Sequence, residues 1–215
     1  MSLKFFFHPL ASYCQKVLIA LYENETPFEP HVVDLANEQS AAAFKRLWPI
    51  GKMPVLRDDA RDRTIPESSI IIEYLAQHYP GRTQLIPAEA DRALRARLSD
   101  RFYDLYVHEP MQKIVGDRLR PAERGDPHGV EAARAMLRTA YAMIDGEMAA
   151  KTWATGDAFS LADCAAAPPL FFTNKLMPFG DTHRNLAGYF KRLTEHPSVA
   201  RTFAQAEPYL KLFPG

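Results

Sequence analysis

The sequence predicts two units of different class: an α/β half over residues 1–80, then an all-helical half over 90–215, joined by a linker at 81–89. Three observations carry this. Up to Tyr79, short aromatic or β-branched runs alternate with helical segments. After Tyr79 no convincing strand remains, and apolar residues recur at helical spacing. The change falls at Pro80-Gly81 and the stretch running to Pro87, residues that punctuate regular structure.

In the first half, Leu3–Phe7 reads as a strand, so apolar that both of its faces should be covered. His8-Pro9 ends it, and 12–24 reads as a buried helix with Ser12 placed to cap it. Thr26-Pro27 breaks that helix, and 28–33 reads as a second strand. A helix over 37–47, a turn at Pro49-Ile50-Gly51 and a strand over 53–56 follow. A polar turn over 58–62, a last strand at Thr64-Ile65 and a helix opening at Glu67-Ser68-Ser69 complete the order β-α-β-α-β-β-α. The last two strands are close enough for a hairpin, whereas a parallel pair needs a crossover helix.

In the second half, Leu94, Leu98, Phe102 and Leu105 mark one helix, which Pro110 should kink or end. Ala133, Met136, Leu137, Ala140, Tyr141, Ile144 and Met148 mark another. Two more are read over 160–172 and 186–193, and Pro168-Pro169 should bend or end the first of these. Such a set makes a helix bundle.

Composition narrows function by exclusion. Lys plus Arg and Asp plus Glu number 26 each, so zero net charge gives no reason to expect a nucleic-acid or anionic-membrane partner. The apolar runs fall far short of the ~20 residues of a membrane span, and the N-terminus lacks a secretory pattern, so the expected location is the cytoplasm. Two cysteines, Cys14 and Cys164, make no disulfide scaffold. The seven histidines show no metal-ligand spacing, and no metal is expected.

Three segments stand in order along the chain: SYCQKVLIALYE at 12–23, PIGKMPVL at 49–56 running on to PESSIIIEYL at 66–75, and GDAFSLADC at 156–164. Together they resemble the glutathione S-transferase superfamily, of the cytosolic type with a bacterial-like serine/cysteine-class pattern. The resemblance covers essentially the whole chain. It implies a thioredoxin-like N-terminal domain that binds glutathione, a helical C-terminal domain, and a homodimer. It also implies glutathione as co-substrate and a small electrophile or hydroperoxide as second substrate. Pro54 is then the family's cis-proline, with Met53 and Val55 beside the cysteinyl part of glutathione; Lys52 resembles the residue that holds the glycyl carboxylate. Glu67 and Ser68 resemble the pair that grips the γ-glutamyl end, where a helix N-terminus favours an anion. Tyr103, Tyr106 and His108 lie on the helix that lines the second-substrate pocket in the family. Ser160 and Asp163 match its capping box.

A free thiol has a pKa near ~8.5, and making thiolate the majority at neutral pH takes a shift of roughly 2 units, or about 2.7 kcal/mol. A helix N-terminus supplies about 0.3–1 kcal/mol and a charge-assisted hydrogen bond about 1.5–3 kcal/mol, so a donor is wanted where the first helix starts. Ser12 is the candidate, with Tyr13 and Cys14 in reserve. In many serine and cysteine classes the catalytic residue lies five before the helix's basic residue; counting back from Lys16 gives Ala11, which has no donor. Phe5, Phe6 and Phe7 leave no tyrosine at the strand end. Ala-Ser-Tyr-Cys has the spacing of a thioredoxin motif without its first cysteine, which excludes a dithiol cycle. It only partly echoes the Ser-Ser-Cys of a maleylacetoacetate-type isomerase. Ala11 also leaves room for a non-catalytic module that binds glutathione or a partner.

Overall fold

The computed structural model describes residues 2–214. Met1 and Gly215, the outer ends of the two predicted units, lie outside the described residues. The α/β half contains β1 (Leu3–Phe7), α1 (Ser12–Glu23), β2 (Glu29–Val32), α2 (Glu38–Leu47), β3 (Val55–Asp58), β4 (Arg63–Pro66) and α3 (Ser68–His78). The sheet order is β2-β1-β3-β4, with β1 parallel to β2 and the other neighbours antiparallel. This is a thioredoxin-like arrangement: α1 provides the crossover that the parallel pair needs, and β3 and β4 form the hairpin.

Both faces of β1 are covered, by different layers. Leu3, Phe5 and Phe7 point into the main core with α1 and α3. Phe6 faces a smaller cluster built from Val33, Phe44 and Val55, and Trp48 packs against the same cluster. The predicted strand at 53–56 begins later, at Val55, just after the cis Met53–Pro54 bond. The cap of α1 differs from the reading too. Ala11, with extended backbone, is the N-cap, and Ser12 is the first helical residue. The Ser12 hydroxyl therefore has no orphan helix N–H to accept from, since that role belongs to the residue outside the helix.

The helical half comprises α4 (Ala90–Phe102), a π-helical segment at Tyr103–His108, α5 (Glu109–Arg118), α6 (Pro127–Met148), α7 (Leu161–Leu176), α8 (Arg184–Glu195) and α9 (Pro197–Ala206). Two short 3-10 turns, Ala122–Arg124 and Glu207–Leu212, complete it. Pro110 does not end the helix, whose backbone stays helical from Ala90 through Arg118; the π-helical segment stands directly before it, where the missing N–H breaks the regular ladder. Two expectations fail here. Leu94 and Leu98 are 65% and 69% exposed; the buried face of α4 is Ala93, Ala96 and Asp100. Small side chains let α4 lie close on the alanine-rich α7, so hydrophobicity pointed to the wrong face. Pro168 and Pro169 do not end α7, which runs on to Leu176. That helix is buried nearly throughout, and packing on all sides outweighs the lost backbone bonds.

One hydrophobic cluster spans both halves, and α1 lies at its centre, packed on α3, α7 and α9. Lys16 of α1 is 1% exposed and ties three elements together. Its Nζ donates to Ser69 Oγ of α3 at 3.0 Å, to Asp104 at 3.0 and 3.1 Å, and stands 2.5 Å from Asp100 of α4. Nor is the segment 81–89 a loose tether. Asn24 and Thr83 exchange two hydrogen bonds, Leu85 accepts from the Leu161 N–H at 2.8 Å, and a Cβ on Gly81 would sit 2.3 Å from the Asn24 side chain.

The capping box is formed. The Ser160 N–H and hydroxyl both donate to Asp163 Oδ2, at 2.9 and 3.0 Å. The Ala154 N–H and Tyr189 hydroxyl donate to Oδ1, at 2.8 and 2.7 Å. Asp163 is fully buried, so four donors replace the water that its carboxylate lost.

Candidate active site

Strand direction gathers the candidate residues at one end of the sheet. Phe6, Val55 and Pro66 lie side by side across β1, β3 and β4, and Phe7 pairs with Val32 of β2. His8 leaving β1, Asp34 beyond β2, Met53-Pro54 entering β3 and Glu67 leaving β4 therefore share that edge. The first turns of α1 and α3 open there as well.

A cavity of about 440 Å³ lies on the α1 side of this edge. Its sheet-side wall includes His8, Ala11, Ser12, Asp34 and Met53. The opposite wall is apolar, with Met111, Val115 and Leu119 of α5 and Phe172 of α7. The C-terminal residues Leu212, Phe213 and Pro214 close one side, where Arg118 donates to the Pro214 carbonyl at 2.8 Å and the Phe213 ring packs on Phe172. Gln112 is the polar residue that α5 adds.

Ser12 is buried to 6% exposure, and its hydroxyl has no hydrogen-bond partner among the described residues. The two reserves differ. Cys14 has no exposed surface, and burial pushes its thiol up to about 12, so it stays protonated at neutral pH. The Tyr13 ring packs tilted against His108 with centroids 4.0 Å apart, and burial, then the nearby Asp104 carboxylate, pushes its phenol well above the usual range. His108 is itself buried, and desolvation with Lys16 nearby lowers its imidazole to about 4. Neither Cys14 nor Tyr13 lines the cavity; Ser12 does.

Met53 lines the cavity ahead of the cis bond, and Pro54 behind it is buried. Val55 follows, its side chain fully buried and its strand paired between β1 and β4. Lys52 is exposed next to Met53. Glu67 is exposed, with φ +68°, in the left-handed region that a non-glycine residue rarely adopts. Ser68 follows as the buried first residue of α3. Behind it, the Ser69 hydroxyl donates to Asp100 at 2.7 Å and accepts from Lys16, so the α3 start is braced from beneath.

Tyr103 and Tyr106 lie elsewhere. Tyr103 is 3% exposed in the helical core, and Tyr106 packs outward against Phe102. Both lie in the π-helical segment, whose buried residues are Tyr103, Asp104, Val107 and His108. Met111, Gln112, Val115 and Phe172 hold that wall, together with His8 and the C-terminal residues. Of these, only His8 carried a local sequence signal: it closes the first strand one turn before Ser12.

Residues 6–83 match the family model of the glutathione S-transferase N-terminal domain, and residues 127–192 match that of its C-terminal domain. A curated relative, glutathione S-transferase GstB of Escherichia coli, is 31% identical over 87% of this chain and 90% of its own length. The chain belongs to the glutathione S-transferase family. A stringent starvation protein A homolog of Coxiella burnetii is 29% identical over 94% of the chain and 92% of its own length. A solved glutathione S-transferase of Methylobacterium radiotolerans, in complex with glutathione sulfonate, matches with TM-score 0.81 and 26% identity over 93% of each chain. One from Methylobacillus flagellatus with GSH bound matches with TM-score 0.85 over 94% of this chain and 98% of that one; at 23% identity this likeness speaks for the fold alone. None of the helices among the described residues is long and apolar enough to cross a membrane.

Proposed function

We propose that this chain is a glutathione transferase in which the Ser12 hydroxyl holds the glutathione sulfur as thiolate for attack on an electrophilic carbon or a hydroperoxide. The observation that carries the proposal is the position of Ser12: an unengaged hydroxyl at the first turn of α1, opening on a cavity with one polar and one apolar wall. The helix N-terminus and one hydroxyl together supply the ~2.7 kcal/mol that the thiol shift requires. Met53 then meets the cysteinyl part of glutathione, Lys52 its glycyl carboxylate, and Glu67 with Ser68 the γ-glutamyl group. The electrophile takes the apolar wall of α5 and α7.

The same reading makes the chain a cytoplasmic homodimer divided at the 81–89 segment. Support for a dimer comes from α3 and α4. Arg97 and Glu73 pair across them at 2.6 Å, and around that pair Ile70, Leu94 and Leu98 are all more than half exposed.

A second reading is a binding module without turnover. Ala11 at the position that carries the donor in many relatives favours it, as does the likeness to a protein that is not named a transferase. One experiment separates the two: titration of the thiolate absorbance of bound glutathione in the parent and in Ser12→Ala. A bound thiol pKa roughly 2 units below the free value, returning towards it in the variant, is the expected result. Tight binding with an unshifted thiol in the parent would leave only the binding module.

A further inference from the structure

A second cleft, of about 400 Å³, opens at the far end of α1, one helix length (roughly 18 Å) from the Ser12 turn. Its floor is aromatic. The Tyr22 and Phe28 rings pack with centroids 6.0 Å apart, and Phe28 meets Phe5 of the core edge-on at 5.9 Å. Arg201 and Gln205 reach the cleft from α9, where they stand one turn apart on the same helix face. Glu25 reaches it from the turn that follows α1.

The polar groups here are oriented but not used up. The Arg201 guanidinium lies over the Tyr22 ring, 4.0 Å from its centroid, and makes no ion pair among the described residues. A guanidinium stacked on a ring keeps its N–H edges free for a carboxylate. The Tyr22 hydroxyl donates to Gln205 Oε1 at 2.8 Å, which commits the amide oxygen and leaves the amide N–H groups without a partner among the described residues. Glu25 closes α1 with φ +50°: its N–H donates to the Tyr22 carbonyl at 3.2 Å, and the Thr26 N–H to the Leu21 carbonyl at 2.9 Å. Glycine is the usual occupant of that left-handed closing position. A carboxylate stands there instead, 77% exposed, with Arg82 no nearer than 3.9 Å.

The cleft therefore carries one cation and one anion, from different elements, that do not pair with each other. A ligand with a single charge would bring a like charge to one of them. A zwitterion meets both, and the C-terminal end of α1 favours its cationic part. We propose that this cleft binds a free α-amino acid with an aromatic side chain: Arg201 and Gln205 take the carboxylate, Glu25 takes the ammonium, and the Tyr22 and Phe28 rings take the side chain. Offset or edge-on ring contacts of this kind add to the gain from burying the side chain. The site is independent of the thiolate reading, and none of its lining residues belongs to α3 or α4, so a dimer through those helices leaves it open.

The test is calorimetric titration of the full chain with L-tryptophan, tryptamine, indole-3-propionate and L-alanine, which remove in turn the carboxylate, the ammonium and the ring. The parent binds L-tryptophan with a Kd of about 1 mM or tighter, and each of the other three about tenfold or more weakly. Arg201→Leu, which keeps apolar cover over Tyr22, and Glu25→Gly each weaken L-tryptophan by about tenfold or more. Glycine suits the backbone at 25, so Glu25→Gly unfolds in denaturant no earlier than the parent, and its loss reports on binding rather than folding. Saturating S-hexylglutathione leaves the affinity for L-tryptophan unchanged. No binding of L-tryptophan up to about 10 mM overturns the site. So does equal affinity for tryptamine or indole-3-propionate, or a Glu25→Gly variant that binds like the parent. Competition by S-hexylglutathione also overturns it, because the amino acid would then occupy the γ-glutamyl site.

Discussion

Glu67 keeps φ at +68°, a conformation that costs a non-glycine residue about 1–3 kcal/mol. Its side chain is exposed and makes no hydrogen bond among the described residues that would return that cost. Strain of this kind persists where the neighbours over-determine the backbone, and here β4 is fixed by β3 while Ser68 and Ser69 are fixed by α3 and the Lys16 cluster. Glu67→Gly therefore separates stability from binding. Glycine relieves the strain but adds freedom to the unfolded chain, about 0.4–1 kcal/mol in the other direction. The variant should be as stable in denaturant as the parent or up to about 2.5 kcal/mol more stable, while its affinity for glutathione, measured by calorimetry, falls by about tenfold. Equal affinity would remove Glu67 from the γ-glutamyl site.

Between elements, the clasp at Glu23 joins the end of α1 to α9 and to the 81–89 segment. Its carboxylate stands 2.7 Å from His196 Nε2 and accepts from Ser198 Oγ at 2.9 Å and Thr83 Oγ1 at 2.8 Å. The His196 contact, followed by the Thr83 and Ser198 bonds, lowers the carboxyl from 4.5 to about 2 against the pull of burial. The folded carboxylate thus resists protonation that the unfolded one accepts. The stability it contributes is present above pH 4.5 and is lost progressively as the pH falls from 4.5 towards 2. After discounting for solvent, that contribution is about 1–2 kcal/mol. Glu23→Gln should be less stable by that amount at pH 7, and its unfolding free energy should change less with pH across this window. A pH profile parallel to the parent's would show that the clasp does not titrate.

For the molecule as a whole, exposed Ile70, Leu94 and Leu98 lie on the outer side of α3 and α4, the same two helices that Lys16 holds from within. Leu98→Arg places a charge on that surface without touching the core. If the face joins two copies, sedimentation should show a dimer for the parent and a monomer for Leu98→Arg, with the far-UV spectrum retained. A parent that sediments as a monomer at working concentration would sink the dimer.

Much of this protein was written locally. Leu3–Phe7, the helix after it, the hairpin ending at Pro66 and the capping box at Ser160 and Asp163 are set by short-range patterns: aromatic runs, proline breaks and a cap spacing. The ordered motifs also placed Ser12, Met53, Pro54, Glu67 and Ser68, because each stands at a strand end or a helix start that the chain marks with its own punctuation. Tertiary structure decided the rest. Burial by distant elements determined that Cys14 is inert and that α7 passes through two prolines. Close approach of the alanine faces of α4 and α7 leaves Leu94 and Leu98 facing out, while Tyr103 fills the core. The apolar wall of the cavity comes from α5, α7 and the C-terminal residues, which are far apart in sequence and carry no motif. A local pattern records what neighbouring residues require of one another. Which face is covered, and which side chain meets a ligand, depends on elements that only the folded chain brings together.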